Sequence, residues 1–154
     1  MRTNLTQVFR LPLVAAVVLL SAACDNPVEP EDHPEAGGIL IRDAGTGAVL
    51  ALSVGANVAF AEPLELTASE VLEVEILFLD ASDPDDLALA FHPDEDEGES
   101  LNVDITNEAI VTYADHGDHG DFTAVAAGQT TVTIELIHGG HADFRSGFLT
   151  IIVQ

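Results

Sequence analysis

The chain has 154 residues, a formal charge of −23, one cysteine and no tryptophan. That length holds one modest domain, and a single cysteine excludes an intrachain disulfide. So acidic a protein repels nucleic acid and anionic headgroups, which removes both from the candidate partners and favours cations.

Arg2 and Arg10 give a basic start, an apolar run follows from Leu11 to Leu20, and small residues precede Cys24. The pattern reads as a secretory signal over residues 1–23, with an apolar run too short to cross a bilayer as a stable helix. The segment Leu20-Ser21-Ala22-Ala23-Cys24 resembles the lipobox of bacterial lipoproteins, with Ser21 where that family usually has leucine. The resemblance implies cleavage before Cys24, lipid attachment to it, and a domain tethered to a bacterial membrane, facing the periplasm or cell exterior. Residues 1–23 carry two of the four basic residues and no acids, so the mature chain sets 2 Arg against 27 acids, a charge of −25. Residues 24–37 then read as the lipidated cysteine and a flexible acidic linker rich in proline, with His33 a solvated linker histidine.

Beyond Gly38 short runs of Val, Ile, Leu and Thr alternate with Gly, Pro and Asp clusters. Strands are expected over 39–43, 48–54, 64–67, 71–79, 86–92, 109–114, 122–126, 129–137 and 147–153. Alternation is clear in Val71-Leu72-Glu73-Val74-Glu75-Ile76, where the glutamates face solvent and the apolar residues face a core. No segment has a sustained helical period with caps. The expected fold class for 38–154 is an all-β, antiparallel sandwich.

Residues 105–137 sharpen this expectation. The run Ile105-Thr106-Asn107-Glu108-Ala109-Ile110-Val111, then Phe122-Thr123-Ala124-Val125-Ala126-Ala127-Gly128, then Thr131-Val132-Thr133-Ile134 resembles the second half of a bacterial immunoglobulin-like domain. The Trp-Ser that usually precedes the Asn in that family is absent. The resemblance implies an immunoglobulin-like sandwich in a surface or periplasmic setting, and no catalytic residues.

The candidate site is a repeat. Residues 116–122 read HGDHGDF and residues 138–144 read HGGHADF, both fitting His-Gly-x-His-x-Asp-Phe. Four of the six histidines, His116, His119, His138 and His141, lie in the two copies, with Asp121 and Asp143 in equivalent places. If successive strands alternate in direction, loops 80–85, 115–121 and 138–146 share one end. Loop 93–108, with His92 beside it, falls at the other. Four imidazoles at one end supply the number of donors a tetrahedral zinc site wants, and imidazole also suits copper and nickel. Asp121 and Asp143 would bind directly or accept the second ring N–H. Phe122 and Phe144 are expected to pin each loop to the core.

Two acidic stretches, 80–86 and 94–99, are dense in oxygen donors, so calcium is the rival cation; both are read first as solvated loops. There is no Gly-x-Ser-x-Gly elbow and no phosphate-binding glycine loop, so a non-enzymatic role is expected. The leading function class is a lipid-anchored metal-binding protein, its partners a metal ion and the membrane. The alternatives are a structural or adhesive surface module, in which the histidines are incidental, and a metal-dependent hydrolase.

Overall fold

A computed structural model describes residues 34–154. The signal peptide, Cys24, most of the linker and His33 lie outside the described residues. Among the described residues ten strands and two single-turn 3-10 helices follow in chain order. They are β1 (Ala36–Asp43), β2 (Val49–Val54), β3 (Leu64–Leu66), β4 (Val71–Asp80), β5 (Glu99–Ile105), β6 (Val111–Asp115), β7 (Gly120–Ala124), β8 (Gly128–His138), β9 (His141–Arg145) and β10 (Leu149–Val153).

The strands form two sheets. One runs β2-β1-β4-β7-β6; the other runs β3-β10-β8-β5, with β9 folded back on β8. All pairings are antiparallel except that of β3 with β10. Taken in chain order, β1, β4, β5, β6, β7, β8 and β10 occupy the A to G positions of an immunoglobulin sandwich. A-B-E-D lie in one sheet and G-F-C in the other. The expected all-β sandwich is therefore the fold. Its core is largely aliphatic, built from Ile39, Ile41, Val74, Ile76, Val132, Ile134 and Leu149, with Phe78 and Phe122 the largest fully buried side chains. Glu73 is exposed and Glu75 pairs with Arg42 at 2.8 Å, while Val74 and Ile76 face inward, as the alternation requires.

Three expectations need correction. Strand β1 begins at Ala36, inside the stretch read as linker. The composition shift at Gly38 marks a tight contact rather than a boundary, for a Cβ there would lie 2.7 Å from the Leu79 side chain. Residues 86–92 are not a strand. Asp86 caps a 3-10 turn over Leu87–Leu89 by accepting the Ala88 N–H at 3.0 Å, and only Phe91 bridges, to Phe78. This segment instead covers the outer face of the first sheet, where Leu87 and Ala90 pack on buried Leu40, Leu77 and Leu79. With β4 taken as running up, the downward strand in that part of the chain is β5, within the stretch 93–108 read from the sequence as a loop.

Replacing one down-strand by another preserves the count. Both histidine turns do lie at the same end: β6 runs parallel to β4 through β7, and Phe144, which pairs with Leu136 near the top of β8, packs edge-on against Phe78 near the top of β4 (6.1 Å). The acidic stretch 94–99 and His92 move to this end as well, contrary to expectation. Glu99 pairs with His138, and His92 lies close enough to Asp118 for its charge to act on it.

Candidate functional site

Each copy of the repeat builds a two-residue hairpin. His116 donates its backbone N–H to the His119 carbonyl at 2.9 Å, so these two close the β6–β7 hairpin around Gly117-Asp118. Gly117 has φ +93°, the left-handed value such a tight turn needs at its first central residue. His138 pairs with His141 across Gly139-Gly140, whose φ angles of +58° and +86° suit a type I′ turn. His-x-x-His is thus the closing cross-strand pair of a hairpin. Residues so placed share a face, with Cβ atoms about 4.5–5.5 Å apart. The ring centroids stand 5.2 Å apart in the first hairpin and 6.3 Å in the second.

The aspartate follows from the same pleat. Asp121 lies two residues past His119, on the same face, and diagonal to His116. His116 Nε2 is 3.2 Å from Asp121 Oδ2. In the second hairpin a bulge between Leu136 and Ile137 leaves Asp143 as the extra residue on β9. Asp143 reaches both rings, with Oδ2 3.2 Å from His138 Nδ1 and Oδ1 3.0 Å from His141 Nε2. The phenylalanine one position on points the other way. Phe122 and Phe144 are both buried, the first against Tyr113 at 5.0 Å and the second on Phe78.

The first hairpin holds further charge. His119 Nδ1 lies 2.6 Å from Asp118 Oδ1, and its Nε2 lies 3.8 Å from Glu73 Oε1. The hydrogen bond with Asp118 is the main cause that raises the His119 pKa above its ordinary value, with the charges of Asp118, Glu73 and Asp121 adding to it against a desolvation penalty. The same bond holds the Asp118 carboxyl below its ordinary value. Burial raises the Tyr113 hydroxyl far above its usual range, and Asp115 and Asp121 push it the same way.

The two hairpins do not face one point. In β7, His119 and Asp121 flank the buried Gly120 and precede buried Phe122, so they project from the outer face of the first sheet. His138 follows buried Leu136 by two residues, so it leaves the inner face of the second sheet at its rim. The expected four-imidazole cluster is not formed. Among the described residues no group of three or more His, Cys, Asp or Glu side chains stands ready to hold a metal ion.

Sequence reasoning did not select Glu73 or Glu99 as site neighbours. Glu73 pairs with Asp121 across β4 and β7, and Glu99 pairs with His138 across β5 and β8. The alternation Leu101-Asn102-Val103-Asp104-Ile105 was the signal that would have exposed β5 and, with it, the place of Glu99. The sequence matches no protein-family model and no curated protein.

Proposed function

We propose that this chain is a lipid-anchored, extracytoplasmic protein that binds zinc or a similar transition metal through its histidine hairpins. The observation that carries the reading is the recurrence of one donor arrangement in two hairpins of different sheets. Each sets an aspartate beside a cross-strand histidine pair: Asp121 lies 3.2 Å from His116 alone, and Asp143 lies 3.2 and 3.0 Å from His138 and His141. A turn needs no histidine on either side of it, and core packing needs only the glycines and the phenylalanine. With metal–nitrogen and metal–oxygen bonds of about 2.1 Å, two donors of a tetrahedral ion stand about 3.4 Å apart. The His–Asp separations are close to this, and exposed imidazoles can close the difference by small rotations. The acidic surface raises the local concentration of cations. The lipobox-like segment ending at Cys24 supports attachment to a bacterial membrane and a place in the cell envelope. Among the described residues no nucleophile–base pair accompanies the histidines, which favours capture or transfer of the ion over hydrolysis.

A second reading rests on the same contacts: each histidine has a carboxylate neighbour, so the pairs could serve only to tie the turns of a structural or adhesive immunoglobulin-like module. Isothermal titration of the chain with zinc at pH 7 separates the two. Saturable binding that disappears when His116, His119, His138 and His141 are all changed to alanine supports the metal reading. Absence of binding to the unmodified chain refutes it.

A further inference from the structure

We infer that the hairpins are two separate sites, each completed by a glutamate from the neighbouring strand: Glu73 for the first and Glu99 for the second. The inference rests on the proposed metal binding and goes beyond it in stoichiometry, ligand set and ranking of the sites.

In the first site the donors are His116, His119, Asp121 and Glu73. Glu73 is the residue opposite Asp121 in the β4–β7 ladder, and its carboxylate is 3.8 Å from His119 Nε2. In the second they are His138, His141, Asp143 and Glu99. Three adjacent strands supply them, because His138 on β8 pairs with Glu99 on β5 and with His141 on β9. Register brings a glutamate beside a histidine hairpin in both sheets, so side-chain rotation on binding would give each site two imidazoles and two carboxylates, which are not yet gathered around one point. That donor set suits a borderline divalent ion such as zinc or cobalt and is poorly matched to soft monovalent copper. Because the first set lies on an outer face and the second at an inner rim, one ion cannot be shared.

The sites are unequal. The Glu73 side chain is 60% exposed and must be ordered on binding. Glu99 is buried, 3% exposed, and already held, since its Oε2 accepts the Asp94 N–H at 2.9 Å. His138 is also the least exposed of the four histidine side chains. Ordering one long exposed side chain takes away up to roughly tenfold in affinity, so the second site should bind more tightly by up to about tenfold.

The test is a zinc titration of the full chain carrying Cys24→Ser, so that no thiol competes, followed by competition with a chelator. Two zinc ions per chain are expected. Changing His116 and His119 to alanine removes the weaker, and changing His138 and His141 removes the tighter. Glu99→Gln weakens only the tight site and Glu73→Gln only the weak one, with far-UV circular dichroism unchanged. If Glu99→Gln does not fold, the Co²⁺ spectrum of the unmutated sites decides. Intense four-coordinate d–d bands at both support the ligand sets, and weak six-coordinate bands overturn them. One zinc per chain, abolished by either histidine pair, overturns the two-site inference while leaving metal binding intact. Two ions untouched by both glutamate changes overturn the glutamate assignment. No zinc at all refutes metal binding and the inference together.

Discussion

The two copies of the repeat differ at the residue between the second histidine and the aspartate, which is Gly120 in the first and Ala142 in the second. Tyr113 accounts for the difference. It sits diagonal to Gly120 on the adjacent strand, and a Cβ at 120 would lie 2.6 Å from its Cε2 and closer still to Cζ and the hydroxyl. Gly120 is not among the residues with positive φ, so the obstacle is the ring and not the backbone. The ring cannot move freely, because it packs against buried Phe122 with centroids 5.0 Å apart. Gly120→Ala should therefore cost about 1–3 kcal/mol through overpacking. In a Tyr113→Ala background the ring is gone, and the same change should be neutral or stabilising by about 0.4–1 kcal/mol, the usual gain from restricting an unfolded glycine. Urea unfolding of the four proteins of this cycle measures both values. With a slope of about 1–3 kcal/mol per molar, a 2 kcal/mol loss moves the midpoint by roughly 1 M. An equal penalty for Gly120→Ala with and without Tyr113 would refute the packing argument, because independent sites simply add.

Other consequences follow from single contacts. Ser146 is buried and its hydroxyl accepts the Ile134 N–H at 2.9 Å while donating to the Gly147 carbonyl at 2.8 Å. Ser146→Ala should cost about 1–3 kcal/mol in urea unfolding by leaving a buried N–H unpaired, and a loss under about 0.5 kcal/mol contradicts this. In metal-free protein, the His119 ring should titrate above its ordinary value by NMR, and Asp118→Asn should bring the midpoint down. The raised histidine gives stability that is present below its unfolded pKa and lost as pH rises through the raised folded value. The lowered Asp118 gives stability present above its unfolded pKa and lost as pH falls through its folded value, so the pair is intact between the two. An unmoved midpoint in Asp118→Asn rejects that hydrogen bond. Cys24→Ser should shift the protein from the membrane fraction to the soluble one, and an unchanged distribution rejects the lipid anchor.

The sandwich was legible because its strands announce themselves through alternation, as in Val71–Ile76, and because no helical period competes. The hairpins were legible through their glycines, whose positive φ values close the turns at 117, 139 and 140. Two features misled. The apolar residues Leu87, Leu89 and Phe91 suggested a strand, yet two of the segment's side chains, Leu87 and Ala90, cover the outer face of the first sheet. The acids of 94–99 concealed the start of β5, and Glu99 with it. The shared end of the two histidine pairs followed from strand parity, which survived because one missed down-strand replaced one false one. Parity says nothing about faces, however. Whether a side chain at the rim leaves the inner or the outer face depends on register, and register separates His119 and Asp121 from His138.

On this reading the histidine repeat exists to hold metal. Elemental analysis of chain purified at neutral pH without an affinity tag, beside the variant with His116, His119, His138 and His141 changed to alanine, tests it most directly. Transition metal, zinc foremost, is expected in the unmodified protein and none in the variant, with both equally folded. Equal metal content in the two proteins, or none in either after incubation with zinc, would contradict it.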